Sequence, residues 1–210
     1  MHSDVESEPA SASSIFGARI ELARAFTEVL GREGEERGLI GPLEPPRLWT
    51  RHVLNCALVA PLLKADATVG DVGSGAGLPG LVLAIARPDV RFVLIEPMER
   101  RVAWLREQSD SLGLTNVEVM RARAEEVRLP SPLDQVTARA VSAFRKLIPL
   151  TAPLVRDGGE LVLMKGANAD AEIAAATKEI RRFHIHDIRV DVLGAGVVDE
   201  VTRVIRATVR

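Results

Sequence analysis

From residue 67 to the end, the chain alternates runs that read as strands with runs that read as helices, and this alternation limits the fold more than any other feature. Strand-like runs fall at 67–72, 91–96, 116–121, 133–140 and 159–165, and helical ones near 79–86, 99–112, 143–155 and 170–182. Repeated strand–helix units build a parallel sheet with helices on both faces. The ending breaks the pattern. HIHDIRVDVL (184–193) and VTRVIRATV (201–209) are separated only by GAGVVDE, too short for a crossover helix, so they pair antiparallel. The expected fold class is α/β, a Rossmann-like sheet that closes on a C-terminal antiparallel hairpin.

Upstream, residues 1–14 are small, polar and acidic without periodicity, and are expected to be a disordered tail. Residues 15–64 read as a helical extension. Ile15, Ile20, Leu22, Ala23, Phe26, Val29 and Leu30 recur at helical spacing, and a second helix is expected after Pro45-Pro46. Residues 65–210 form the main domain, expected as one compact unit. No apolar run approaches the roughly 18 residues a membrane crossing needs, and the N-terminus lacks the basic and apolar parts of a leader. A cytoplasmic protein is expected, without a membrane partner. The lone Cys56 excludes an internal disulfide and a cysteine zinc site; no metal is expected, and Cys56 reads as a small buried side chain.

The formal net charge of −2 argues against a protein that coats nucleic acid non-specifically, because phosphate neutralisation needs a basic surface. It leaves room for a local basic patch. Of the 27 cations 23 are arginine, whose planar fork suits phosphate and guanine.

The stretch ATVGDVGSGAGLPG (67–80) carries two frames. Read from Gly75 it matches the dinucleotide fingerprint G-x-G-x-x-G. Read from Asp71 it is D-x-G-x-G-x-G, the loop of adenosylmethionine-dependent methyltransferases. In a dinucleotide fold the first glycine follows the strand directly. Here the strand stops at Val72, and counting from Gly73 puts Leu78 where the third glycine belongs. The second frame needs no shift: Gly73, Gly75 and Gly77 give a wide turn, and Asp71 at the strand end is placed to take a ligand ammonium, directly or through water.

Glu96 ends the next strand, where a carboxylate can accept from both ribose hydroxyls of either cofactor. After the third strand, Ala124 and Glu125 in RARAEEV are placed to meet an adenine edge. The fourth strand ends in Arg139-Ala140-Val141-Ser142, without the Asn/Asp-Pro-Pro-aromatic motif of enzymes that methylate exocyclic amines. Arg139 there can bind a methionine carboxylate or a substrate phosphate. Aromatic platforms for bases are scarce: Trp49, Trp104 and Phe144 are available, but Trp104 has core spacing with Val102 and Leu105.

Together RHVLNC, DVGSGAGLPG, LAIARP, RAEE, TARA and MKG resemble the small-subunit ribosomal RNA methyltransferase G (GidB) family, from about residue 15 to the end. The resemblance implies a class I methyltransferase sheet with an N-terminal helical extension, S-adenosylmethionine as cofactor, and methyl transfer to N7 of a guanine in 16S rRNA. Its implied partners are 16S rRNA or the small ribosomal subunit, and a monomer is expected. Carried over by position, the family's cofactor contacts fall on Gly73, Leu78, Ala124, Glu125 and Arg139, beside Asp71, Gly75 and Glu96 from the loop reading. Arg51, His52, Arg123 and Lys165 are implicated at an RNA-facing mouth. Asn55-Cys56 stands where many members have Asp-Ser, and Glu96 where many have Asp. No acid–base residue is assigned, because guanine N7 carries no proton to remove. Two alternatives stay open: a methyltransferase of a small molecule or protein, and an NAD-binding module.

Overall fold

The computed structural model of the chain describes residues 5–198 and 200–210. Its centre is a seven-stranded sheet in the order β3-β2-β1-β4-β5-β7-β6. The strands are β1 (Thr68–Val72), β2 (Arg91–Ile95), β3 (Val117–Met120), β4 (Leu133–Arg139), β5 (Val155–Lys165), β6 (Ile185–Leu193) and β7 (Thr202–Val209). The first five are parallel to one another. β7 inserts antiparallel between β5 and β6, as the short link between the last two strands requires.

The strands sort their side chains by alternation. On β2, Phe92 and Leu94 join one apolar cluster while Val93 and Ile95 join another across the sheet, the double burial that parallel sheets impose. The first face is covered by the N-terminal helices α1 (Ser11–Phe16), α2 (Ile20–Glu33) and α3 (Asn55–Ala57), with α4 (Gly80–Ala86) and α5 (Glu99–Ser111). The second is covered by α6 (Phe144–Thr151), α7 (Ala169–Ala174) and α8 (Thr177–Arg182). On α2 the buried residues Ala23, Phe26, Thr27 and Leu30 keep the i, i+3, i+4, i+7 spacing of one helix face. Burying each large side chain is worth roughly 1.5–3 kcal/mol.

Four expectations are corrected. The described part of the supposed disordered tail is anchored: the Glu6 amide donates to Pro45 O at 3.0 Å, Glu6 Oε2 accepts from the Thr50 amide at 2.9 Å, and Glu8 pairs with Arg24. The helix expected after Pro45-Pro46 is a π-helical turn over Leu48–Leu54 that runs into α3. The single helix expected at 170–182 is broken into α7 and α8. β5 starts four residues early, at Val155, because a register irregularity against β4 and the positive φ of Gly158 (+71°) let the chain enter the sheet before its regular pairing begins at Glu160.

Polar side chains tie the extension to the sheet. Gln135, fully buried on β4, accepts from the Lys64 amide at 2.8 Å and donates to Leu62 O at 3.1 Å. Arg87 donates to Ala60 O and Leu63 O at 2.7 and 2.8 Å. These bonds satisfy backbone groups of the linker that the packing would otherwise leave without water.

Candidate active site

The glycine loop leaves β1 and enters α4 over Asp71. Gly73, Gly75 and Gly77 all have positive φ, the region that L side chains avoid. At Gly73 (φ +74°) a Cβ would also lie 2.8 Å from Val141 Cγ2. Glu96, at the end of β2, is buried and carries the loop: its Oε2 accepts from the Gly75 amide at 3.0 Å and its Oε1 from the Met98 amide at 3.0 Å. Each carboxylate oxygen keeps a further lone pair.

Asp71 departs from its expected role. It is wholly buried, lines none of the cavities described below, and accepts from the Gly80 amide through Oδ2 at 3.0 Å while Oδ1 has no partner among the described residues. It braces the loop and the start of α4 from beneath; of the two expected routes to a ligand ammonium, direct and through water, the direct one is corrected. Burial drives its carboxyl up to about 7, against the opposing pull of Ser74 and the Gly80 amide.

Three cavities open at the C-terminal ends of the strands and share Arg139 and Ala140. The first, about 460 Å³, is lined by Gly73, Glu96, Met98, Ala124, Glu125 and Val141 among others; Arg123 reaches its wall. The second, about 310 Å³, adds Gly75, Leu78, His52 and Glu44. The third, about 530 Å³, is the mouth beside β5, lined by Arg51, Ser142, Lys165, Glu172 and Glu200. Arg101 of α5 faces both of the first two. Ala140, at the common point, sits at φ +55°, a conformation that costs a β-carbon residue on the order of 1–3 kcal/mol and clusters at functional sites.

The residues expected at an RNA-facing mouth divide. Arg51 lines the mouth and pairs with Glu200 at 3.3 Å. Arg123 is exposed on the first cavity. Lys165 is not a free cation: its side chain is nearly covered, pairs with Glu172 at 2.8 Å and donates to Ser142 O at 2.6 Å. His52 faces inward rather than toward the mouth, with Nε2 2.5 Å from Glu44 and Nδ1 2.6 Å from Arg139. Burial, then the Arg139 charge, holds its imidazole below the ordinary histidine range, so it is neutral at pH 7. Burial likewise pushes the Cys56 thiol up to about 11, and its Sγ receives Arg139 at 3.5 Å. Trp49, Trp104 and Phe144 are all buried, and Trp104 donates to Ala76 O beneath the loop at 3.0 Å, so none is a base platform.

Glu44, Arg101 and Met98 escaped the sequence reading. Glu44 lies in a proline-flanked loop eight positions before His52, with no periodicity to relate them. Arg101 and Met98 belong to the start of α5, which reads as an ordinary solvated face.

A parallel sheet closed by one antiparallel strand, with a glycine loop after β1 and a carboxylate after β2 on the same cavity, defines a class I S-adenosylmethionine-dependent methyltransferase. Solved structures agree on the fold. TYW2 of M. jannaschii, in complex with AdoMet, superposes with a TM-score of 0.59 at 17% identity, covering 77% of this chain and 76% of that one. The N-methyltransferase NodS from Bradyrhizobium japonicum, in complex with S-adenosyl-L-homocysteine, gives 0.57 at 15% identity over 84% and 97%. The family model GidB, rRNA small subunit methyltransferase G, matches residues 19–200. The chain is 70% identical over the full length of both chains to the ribosomal RNA small subunit methyltransferase G of Leifsonia xyli subsp. xyli. It is 70% identical to that of Clavibacter michiganensis subsp. michiganensis over 98% of this chain and 97% of the relative. The chain belongs to the rRNA small subunit methyltransferase G family. That membership does not favour the two alternatives, a methyltransferase of a small molecule or protein and an NAD-binding module.

Proposed function

We propose that this enzyme binds S-adenosylmethionine in the two cavities around the glycine loop and methylates N7 of a guanine in 16S rRNA presented at the third. The observation that carries the reading is the meeting of all three cavities at Arg139 and Ala140: a bent cofactor on one side and a base on the other would share one junction. The fit is chemical as well as spatial. Glu96 keeps lone pairs for ribose hydroxyls, Ala124 and Glu125 border the same cavity for an adenine, and a Cβ on Gly75 would meet nothing closer than Gly73 O at 3.7 Å, so the bare loop leaves room for a ligand. Arg139 supplies the cation for the methionine carboxylate. When bound, the cofactor supplies an electrophilic methyl group on a sulfonium.

The protein's part is alignment and electrostatics. Guanine N7 offers an in-plane lone pair and no proton, so no residue has to act as a base. The ionisable groups at the mouth agree with this, being already engaged: Glu172 with Lys165, and Glu200 with Arg51. In this reading Arg139, Arg51 and Arg123 are the cations that meet phosphate, Arg51 in exchange for its exposed Glu200 partner.

The test is a map of N7 methylation by chain cleavage and primer extension on 16S rRNA from cells with and without the gene, repeated with purified protein and small subunits. A single gene-dependent N7 stop is expected. Methylation at another atom, or of no ribosomal RNA, overturns the reading.

A further inference from the structure

The seam between the N-terminal extension and the sheet passes through one chain of three side chains. The Glu44 carboxylate receives His52 Nε2 at 2.5 Å and two Arg47 guanidinium nitrogens at 2.7 and 3.1 Å. His52 Nδ1 lies 2.6 Å from Arg139 Nη2. An arginine can only donate, so Nδ1 is the acceptor and Nε2 carries the hydrogen given to Glu44. The partners dictate the tautomer. The Arg139 guanidinium also donates to Arg51 O at 3.2 Å and to Cys56 Sγ at 3.5 Å, so every hydrogen-bond partner of that side chain among the described residues comes from the 51–56 segment. None of those partners is a carboxylate, and the guanidinium keeps its full charge where the three cavities meet.

We infer that Glu44 is a positioning residue: acting through His52, it holds the guanidinium of Arg139 at the junction, so that the extension and not the sheet alone sets the reach of the site's central cation. The inference rests on the proposed use of that junction by cofactor and substrate. Its physical basis is the cost of a buried donor without a partner. Without Glu44, His52 has a buried Nε2–H with no acceptor and reason to turn over or change tautomer, and either change takes the acceptor away from Arg139. The π-helical turn that carries His52 is itself a geometry concentrated at functional sites. The charged and titratable groups around His52 are Glu44 and Arg47 from the preceding loop and turn, Arg51 on its own turn, Arg139 from β4, Arg101 from α5 on the same cavity, and Cys56 beyond Arg139.

The experiment compares wild type, Glu44→Ala, Glu44→Gln, Arg139→Ala and the Glu44→Ala/Arg139→Ala double variant, with Glu44→Met replacing Glu44→Ala if thermal melts show that the latter does not fold. Nitrogen-15 NMR of the imidazoles reads the His52 tautomer, and calorimetry reads S-adenosylmethionine affinity. Wild type and Glu44→Gln, which keeps an acceptor, should show the hydrogen on Nε2; Glu44→Ala should show a mixture. Affinity should fall about tenfold in Glu44→Ala and stay within about threefold in Glu44→Gln, while in the Arg139→Ala background Glu44→Ala should add nothing, the non-additivity of groups acting as one unit. An unchanged tautomer and affinity in Glu44→Ala, or the same loss in both backgrounds, overturns the proposal. Neither measurement uses RNA, so a failure of the rRNA reading would appear separately, as wild-type protein that binds cofactor and methylates no ribosomal RNA.

Discussion

Asp71 is a carboxylate with one bonded oxygen and one unpartnered among the described residues, sealed from water beneath the glycine loop. Its carboxyl sits near 7 when folded and near 3.9 when the chain is unfolded and solvated. Between those values the folded state binds the extra proton, so this group's contribution to stability is greatest below about pH 4 and declines as pH rises to about 7. Asp71→Asn removes that decline. The difference between melting temperatures at pH 5 and pH 8 should therefore shift by a few degrees in favour of the higher pH in the variant relative to wild type. An unchanged difference would show that Asp71 is ionised in the fold and compensated by something nearer than Gly80. Gly73 makes the complementary prediction above the loop. In Gly73→Val a branched side chain would have to adopt φ +74° with its Cβ 2.8 Å from Val141, so the loop must shift by strain of roughly 1–3 kcal/mol. Cofactor affinity should drop at least tenfold by calorimetry on folded protein; wild-type affinity would reduce the loop to a plain turn.

At the scale of elements, the mouth is framed by the loop after β4 and by the pairing of β5 with α7. Lys165 ends β5 and reaches Glu172 on α7, which also accepts from the Phe144 amide at the start of α6 at 2.7 Å. Three elements are thus pinned by one ion pair, and the Lys165 side chain is only 7% exposed. Lys165→Ala should lower the melting temperature by several degrees, since it leaves Glu172 partly buried without its cation, and should leave the salt slope of RNA binding unchanged. Arg123→Ala should do the reverse, with stability intact and the slope reduced by about one. Equal slope losses in both variants would restore Lys165 as a phosphate contact. Elements of this kind were legible only in part. Strand positions were readable to within a residue or two wherever alternation or a continuous apolar run marks burial, as on β2. The early start of β5 was not, because Gly158 and Gly159 look like a turn and only pairing with β4 makes the preceding residues a strand. The π-helical turn leaves no trace in composition, and Pro149 stands inside α6 where a sequence rule would end the helix. The glycine loop, Glu96 and the 124–125 turn were readable because each follows a strand end. Glu44 and the inward turn of His52 were not, because their meeting depends on how the extension docks.

Across the whole molecule, the extension and the sheet are joined at the site by polar contacts: Glu44–His52–Arg139, Arg51–Glu200, and Thr202 Oγ1 donating to Asn55 Oδ1 at 2.7 Å. The first of these contains a titratable imidazole in direct contact with Arg139. His52 is held below its ordinary value of about 6.5, so above that pH it stays neutral and its Nδ1 accepts from Arg139. As pH falls below 6.5 the unfolded chain takes up a proton before the folded one, so this group's stabilising contribution, full above 6.5, is lost on acidification. Protonating Nδ1 in the fold would set an N–H against the guanidinium and undo the seam. Glu44 is held below the carboxylate range by Arg47 and His52, against its own burial, and stays charged throughout. The reaction itself asks no group at the junction for a proton, since N7 has none to lose, and Asp71, whose carboxyl lies at about 7, is sealed beneath the loop and lines none of the three cavities. The single-turnover methylation rate at saturating cofactor and small subunits should therefore be flat from about pH 6.5 to 8.5 and fall on a limb centred below 6.5. His52→Gln offers one donor and one acceptor at all these pH values, and should keep the plateau while losing the acid limb. A limb above pH 7 that disappears in His52→Gln would instead assign His52 to proton chemistry, and the alignment mechanism would fail with it.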